Sequence, residues 1–154
     1  GAATPPTPAA SSFELPLWLS VVCGPSGNLL GGETLAELGE ACRDLPLQAL
    51  LINCTDTDYL DRALPALAQA TSEGPARGLY PHTGRSGGAT FVTHAGDAAW
   101  FAETIANCLA QDPGLQIVGS CCGSTPAWTA ELARHIHPTQ DARLHGFAEL
   151  DALA

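Results

Sequence analysis

The feature that most constrains the fold is a strand-then-helix pattern that recurs four times along the chain. Four short apolar runs predict the strands Leu17–Val22, Gln48–Asn53, Ala76–Tyr80 and Leu115–Gly119. Segments with helical spacing of apolar residues follow them and begin near Thr34, Tyr59, Asp97 and Thr125. The strands lack polar alternation, which is typical of strands buried on both faces. The pattern therefore predicts an α/β fold with a parallel sheet.

The number of units leaves two architectures open. A complete (βα)8 barrel of the TIM type needs eight units and about 250 residues, and this chain of 154 residues supplies four. It is either a small open α/β sheet or half of a barrel. Local signals mark the helices: Thr34 and Glu37 form a capping box, Pro65 predicts a kink, and Thr125-Pro126 predicts an N-cap followed by a first-position proline.

Composition excludes several classes of function. Sixteen acidic residues against six basic ones give a formal charge of -10, which disfavours a nucleic-acid partner because phosphate binding needs a basic face. The apolar runs are too short to span a membrane, and no secretory signal is visible, so we expect a cytoplasmic protein. Residues 1–12, rich in Pro, Ala, Ser and Thr, are interpreted as a flexible linker, and residues 13–154 as one domain.

Three of the six cysteines follow predicted strands directly. Cys54 comes after the second strand, and Cys121 and Cys122 come after the fourth. The carboxyl ends of parallel strands are where such folds place their active sites. Three thiolates converging there suit Zn²⁺, with a fourth position left open for a substrate thiol.

A plainer interpretation competes with the metal site. Cysteine is often buried simply as a small apolar residue, and the sequence contains no Cys-x-x-Cys pair. We interpret Cys42 and Cys108, on helix faces, and Cys23, after the first strand, as packing residues. For Cys54, Cys121 and Cys122, spacing alone leaves metal binding and packing open.

Three motifs at these positions resemble consecutive motifs of the homocysteine S-methyltransferase family. They are Leu51-Ile-Asn-Cys54-Thr55, Gly78-Leu-Tyr-Pro-His-Thr-Gly84 and Ile117-Val-Gly-Ser-Cys-Cys-Gly-Ser-Thr-Pro126. The family pattern is an Asn-Cys strand end, then Tyr-Pro-Asn-Ser-Gly, then Gly-Gly-Cys-Cys-Gly-Thr-Thr-Pro. The order is preserved, and the resemblance extends from about Trp18 to Ile136.

The resemblance implies the C-terminal half of a (βα)8 barrel. It implies that Cys54, Cys121 and Cys122 bind zinc, and that zinc holds homocysteine as a thiolate that attacks a methyl group and gives methionine. The donor would be S-methylmethionine or S-adenosylmethionine, since no cobalamin or folate module is visible. The N-terminal half would come from the rest of one gene product, a separate chain or a second copy, and the isolated chain is expected to be inactive.

The chain departs from the family pattern in the loop after the third strand. His82 replaces the usual Asn and Arg85 stands where an acidic residue is common, so no role is assigned to either. Asn53 could orient the adjacent Cys54, contact the substrate, or simply bond a neighbouring loop. His135 and His137 are interpreted as exposed residues near a helix end. Two rivals stay open: a non-catalytic half-barrel that binds zinc or thiols, and an unrelated α/β protein with redox cysteines.

Overall fold

The computed structural model of the chain describes residues 16–72, 74–87, 90–92 and 96–137. Its helices and strands follow one another as β1 (Leu17–Val21), α1 (Leu35–Ala41), β2 (Leu47–Asn53), α2 (Leu60–Ala70), β3 (Ala76–Tyr80), β4 (Arg85–Gly87), β5 (Thr90–Val92), α3 (Ala98–Gln111), β6 (Leu115–Val118) and α4 (Pro126–Ile136). The four predicted strands and four predicted helices are confirmed to within one or two residues. The predicted linker at residues 1–12 lies outside the described residues.

The main sheet has four parallel strands in the order β1-β2-β3-β6. Each unit places its strand beside the preceding one, as right-handed βα crossovers do. Strands β4 and β5 form a separate antiparallel hairpin inside the third unit, which the sequence did not predict. Within the described residues the sheet ends at β1 and at β6, so it is an open arc of four units. Half of a TIM-type barrel has this architecture, and the predicted fold class is confirmed.

One face of the sheet is covered by helices. Leu50, Ile52 and Leu79 point to this face and are almost completely buried. They pack in one core with apolar residues of the helices, among them Leu67, Phe101 and Trp128. The rings of Phe101 in α3 and Trp128 in α4 meet edge to face with centroids 5.7 Å apart. We call this surface the covered face.

The opposite face carries no helix in the part of the chain that the structure describes. The register places Trp18 beside Ala49, Ser20 beside Leu51, and Leu51 beside Gly78. Leu51 is not part of the core that packs against the helices. A cavity of about 350 Å³ opens here, and Trp18, which is 55% exposed, lies on its wall. We call this surface the open face; in a closed barrel it would be the interior.

The predicted helix signals have mixed outcomes. The capping box is confirmed, because Thr34 Oγ1 accepts a hydrogen bond from Glu37 N–H while the Glu37 carboxylate accepts one from Thr34 N–H. Helix α2 continues through Pro65 without ending there. Thr125 does occupy the N-cap of α4 with Pro126 behind it, but its side chain makes no capping hydrogen bond. The predicted N-cap and first-position proline are therefore confirmed.

An ion pair fastens the amino end of β3 to the end of α3. The Arg77 guanidinium donates to both carboxylate oxygens of Asp112, at 2.8 and 2.6 Å, and holds the pKa of that carboxyl below its ordinary value. This contact lies at the sheet end opposite the cysteines, where TIM-type folds place stabilising features. No helix within the described ranges is long and apolar enough to cross a membrane.

Candidate metal centre

Three cysteine sulfurs converge at the carboxyl end of the sheet. Cys54 follows β2, and Cys121 and Cys122 lie in the loop between β6 and α4. The Sγ atoms of Cys54 and Cys122 are 3.1 Å apart, and those of Cys121 and Cys122 are 3.9 Å apart. All three sulfurs lie within 4.8 Å of one another. We call these three residues the cysteine cluster.

The backbone turns sharply to bring the sulfurs together. Cys54 has a φ of 46°, the one non-glycine residue with positive φ in the described part of the chain, and Gly123 next to Cys122 has a φ of 83°. A left-handed conformation is uncommon for a residue with a Cβ and costs about 1 kcal/mol or more. Such strain is typical of functional sites, where the surrounding structure has to hold it in place.

The loop after β3 holds the two cysteine segments in place. Cys54 N–H donates to the Tyr80 carbonyl at 3.1 Å, and Cys121 N–H donates to the Pro81 carbonyl at 3.0 Å. Thr83 N–H in turn donates to the Cys122 carbonyl at 3.0 Å. Because β3 lies between β2 and β6, its loop can bond both neighbours at once. The cluster is therefore fixed by backbone hydrogen bonds and not only by its own sulfurs.

Side-chain hydroxyl groups complete this support. Thr83 is fully buried and donates through Oγ1 to the Cys122 carbonyl at 3.3 Å, while Ser124 Oγ donates to the Cys121 carbonyl at 2.6 Å. Thr55, also buried, accepts through Oγ1 from Cys23 N–H and donates to the Asn53 carbonyl. Sequence reasoning assigned no role to these hydroxyls. Their position directly after strand ends was the one available signal.

The thiols strongly influence one another's protonation. Burial, together with hydrogen bonds to the Cys122 and Cys121 sulfurs, raises the pKa of the Cys54 thiol to about 12. The pKa of Cys122 is lowered, mainly because its sulfur accepts the hydrogen bond from Cys54. Without a cation, therefore, the Cys54 thiol keeps its proton and the Cys122 thiol ionises more easily than Cys54. Like charges at this spacing cannot all form unaided.

The donor set matches a zinc ion. Sulfur ligands bond zinc at about 2.3 Å, and two of them in a tetrahedral site stand about 3.8 Å apart. The 3.9 Å between the Cys121 and Cys122 sulfurs agrees with that spacing, and Cys54 would have to move away from Cys122 by less than an ångström. Three soft thiolates favour zinc over hard cations such as Mg²⁺. The cluster could hold a metal ion with one position free.

A second cavity, of about 570 Å³, lies beside the cluster. Cys54 and Cys122 form part of its wall, and Asp56, Tyr59 and His82 form another part. Asp56 and His82 are nearly fully buried, and the Nδ1 atom of His82 accepts a hydrogen bond from Gly84 N–H at 3.2 Å. The cavity wall contains no Arg or Lys. The buried position of His82 was not predicted.

The other candidate residues divide into those near the cluster and those away from it. Asn53 does not bond a neighbouring loop: its Oδ1 accepts from Ser20 Oγ on β1 at 3.1 Å. Cys23 and Cys108 are buried in the core, as predicted, whereas Cys42 is half-buried and outside it. His135 and His137 are exposed, as predicted. Arg85 begins β4, and its side chain lies outside the described part.

Comparisons with known proteins point to one family. The family model for homocysteine S-methyltransferase matches residues 5–136. A search of curated proteins found no significant match. Matching solved structures include those of the homocysteine methyltransferase MmuM from Escherichia coli. Its oxidised form is 27% identical with a TM-score of 0.58, covering 75% of this chain and 34% of that one.

Two further structures of the same enzyme agree. The metallated form is 25% identical with a TM-score of 0.54, and covers 75% of this chain and 34% of that one. The apo form is 24% identical with a TM-score of 0.55 and supports the fold alone. The present chain thus spans about a third of the length of these neighbours. Because the family model covers most of its residues, including the whole cysteine cluster, the chain belongs to the homocysteine S-methyltransferase family.

Proposed function

We propose that this chain is the C-terminal, zinc-carrying half of a homocysteine S-methyltransferase. In this proposal Cys54, Cys121 and Cys122 are the zinc ligands, and homocysteine is methylated to methionine. The single observation that carries the proposal is the convergence of the three sulfurs within 4.8 Å at the catalytic end of a half-barrel. Family membership supports the choice of substrate. We expect the protein to act in the cytoplasm.

The proposed chemistry divides between the ion and the chain. Zinc, when bound, would lower the pKa of a substrate thiol so that it reacts as a thiolate at neutral pH. The three cysteines leave one coordination position free, and the strained Cys54 backbone together with the Thr83 and Ser124 hydrogen bonds keeps their sulfurs facing it. Holding the nucleophile in one place reduces the entropy cost of reaching the methyl group.

The cavity beside the cluster supports a cationic methyl donor. Its wall contains Asp56 and the aromatic ring of Tyr59 but no Arg or Lys, and the whole chain carries a formal charge of -10. A sulfonium compound, S-methylmethionine or S-adenosylmethionine, is stabilised near carboxylates and aromatic faces. An anionic donor such as a folate polyglutamate has no Arg or Lys partner among these residues.

The open face supports the need for a second half-barrel. Four units leave Trp18 exposed and leave the sheet without a neighbour beyond β1 and β6 in the described residues. We propose that a further four units, from the same gene product, a separate chain or a second copy, close the barrel and complete the donor site. The isolated 154-residue chain should therefore show no measurable methyl transfer.

Metal analysis of the purified chain tests the site. We expect about one zinc per chain, and we expect Cys121→Ala to lose it because the set then has two thiolates. Cys42→Ala, on a helix away from the cluster, is the matched control and should keep its zinc. Unchanged zinc content in Cys121→Ala would show that Cys121 is not a zinc ligand. Metal binding without any activity in the completed barrel would instead favour a non-catalytic remnant.

An activity assay tests the rest of the proposal. Zinc-loaded chain alone should not methylate homocysteine from S-methylmethionine, whereas addition of a matching N-terminal half should produce methionine. Cys54→Ser should abolish that activity, because an oxygen ligand replaces a soft sulfur. Robust turnover by the isolated chain would contradict the half-barrel proposal, since these four units would then form the donor site themselves.

A further inference from the structure

Three polar side chains lie side by side on the otherwise apolar open face. Ser20 on β1, Asn53 on β2 and Tyr80 on β3 occupy the carboxyl ends of adjacent strands. The Ser20 hydroxyl donates to Asn53 Oδ1 at 3.1 Å and is also hydrogen-bonded to the Tyr80 hydroxyl. We call these three residues the polar row. None of them is needed to bind the metal, so their shared hydrogen bonds require another explanation.

The direction of these hydrogen bonds determines what the row offers. Ser20 has one hydroxyl hydrogen, and it is used toward Asn53, so the hydrogen between Ser20 and Tyr80 must come from Tyr80. The hydrogen bonds therefore run in series: Tyr80 donates to Ser20, and Ser20 donates to the side-chain carbonyl oxygen of Asn53. Successive hydrogen bonds polarise one another, which makes the amide hydrogens at the end of the series better donors.

The amide nitrogen of Asn53 lies at the end of this series of hydrogen bonds. It carries two N–H donors, and neither has an acceptor within hydrogen-bond distance among the residues that the structure describes. The cavity next to the row, on the open face, is lined only by uncharged side chains. The row therefore offers amide N–H donors in surroundings with no competing charge. A carboxylate oxygen is a strong acceptor for such an N–H group, because a hydrogen bond to a charged partner is stronger than one between neutral groups.

The row adjoins the cysteine cluster along the chain and through the backbone. Asn53 immediately precedes Cys54, and Cys54 N–H donates to the carbonyl of Tyr80, a member of the row. On the other side of the cavity Ser120 immediately precedes Cys121. A small substrate with its sulfur at the cluster can therefore place a carboxyl group a few bonds away at the polar row.

We propose that Asn53 binds the carboxylate of the thiol amino acid and that Ser20 and Tyr80 are positioning residues for its amide. This inference rests on the proposed function, because it takes the sulfur of the same substrate to be at the cysteine cluster. It assigns the amino-acid end of homocysteine to the open face, and it leaves the cavity beside Asp56 and Tyr59 to the methyl donor. Hydrogen bonds to a charged group typically contribute about 1.5–3 kcal/mol.

Calorimetric titration of the zinc-loaded chain with three matched thiols tests the proposal. Homocysteine carries both end groups, aminopropanethiol lacks the carboxyl group, and mercaptobutanoate lacks the amino group. We expect Asn53→Ala to weaken binding of homocysteine and mercaptobutanoate by about tenfold or more. Binding of aminopropanethiol should stay within about twofold, because it has no carboxylate to lose.

Further variants separate a direct role from a structural one. Asn53→Asp keeps the size of the side chain but repels a carboxylate, so it should weaken homocysteine more than Asn53→Ala does and should spare aminopropanethiol. Ser20→Ala and Tyr80→Phe should reduce the preference for homocysteine over aminopropanethiol, and Ser20→Thr, which keeps the hydroxyl, should restore it. Gln48→Ala, an exposed residue of the same strand β2, is the control and should change nothing.

Three results would overturn the inference, and they are distinguishable. If Asn53→Ala and Asn53→Asp lose affinity equally for all three thiols, Asn53 has a structural role and does not bind the carboxylate. A loss confined to aminopropanethiol and homocysteine, with mercaptobutanoate unaffected, would mean that Asn53 binds the amino group instead. If the zinc-loaded native chain binds none of the three thiols, the proposed function itself fails and the subsite fails with it.

Discussion

The two faces of the sheet differ although the same four strands form both. On the covered face Ile52, Leu79 and Phe101 are fully buried in one helix-packed core. On the open face Trp18 is more than half exposed, and polar side chains take part in hydrogen bonds above an open cavity. The comparison indicates that packing on the covered face stabilises the fold, whereas the side chains of the open face are placed to contact other groups.

The open face is filled at its centre and exposed at its edge. A Cβ atom on Gly78 would lie 2.7 Å from Leu51 Cδ2 and 2.9 Å from Ile117 Cβ. These two side chains therefore occupy the space over Gly78, and Leu51 is 2% exposed without any helix above it. Trp18, on the strand at the edge, is 55% exposed. We expect mutations to separate these regions clearly.

The largest expected effect is on the covered face. Phe101→Ala should reduce the free energy of unfolding by about 3–5 kcal/mol, because it removes a fully buried ring and its edge contact with Trp128. Since whole domains are stable by only about 5–15 kcal/mol, the variant should be largely unfolded in mild urea. Glu103→Ala, exposed on the same helix, is the control. Near-native urea stability of Phe101→Ala would show that this core is not what holds the chain together.

An intermediate effect is expected at the centre of the open face. Gly78→Ala should cost about 1–3 kcal/mol in urea unfolding, because the added methyl group overlaps Leu51, Ile117 and the Ile117 backbone. Gly74→Ala is the matched control: a Cβ there meets no atom within 4 Å, and its stability should change by less than about 0.5 kcal/mol. Equal behaviour of the two variants would mean that the open face is loosely packed throughout.

The smallest effect on stability is expected at the edge of the open face. Trp18→Ser should change the unfolding free energy by less than about 0.5 kcal/mol, yet it should alter association. The native chain should dimerise or aggregate at micromolar concentration, because β1 and β6 are apolar strands without a neighbour in the described sheet. Trp18→Ser should shift sedimentation toward the monomer.

Leu30→Ser is the control for this last comparison. Leu30 is 73% exposed but lies in the loop before α1 and not on the open face. If loss of any exposed apolar side chain reduces association, the two variants will behave alike, and the open face has no special part. A monomeric native chain would contradict the prediction more directly.

The sequence predicted the order of elements but not the difference between the faces. Short continuous apolar runs predicted the four strands, because parallel strands buried on both faces are apolar throughout. That same continuity hides which residues point to helices: Leu50 and Leu51 look alike in the sequence and lie on opposite faces. The register of Leu51 with Ser20 and Gly78 decides between them, and it depends on contacts between distant parts of the chain.

At the site, the metal-ligand candidates could be predicted from the sequence, but the hydrogen bonds that hold their loops in place could not. Cys54, Cys121 and Cys122 could be found because they follow strand ends, and the architecture brings such ends together. The roles of Thr83 and Ser124 depend on backbone carbonyls that become acceptors only after the loops have formed. The β4–β5 hairpin was missed because its strands have three residues each, too few for a pattern of alternation.

The spacing of the cysteines has a consequence for the topology of the unfolded chain. Cys54 and Cys122 are 68 positions apart, and the segment between them contains α2, β3, α3 and β6. A common ligand on these two sulfurs therefore closes a loop around most of the described half-barrel, as a cross-link does in a polymer. In the chain-entropy description, closing a loop of this length removes about 4 kcal/mol of unfolded-state freedom. Loss of a bound ion would then lower the free energy of unfolding of the whole domain, and resistance to proteolysis would report on metal content.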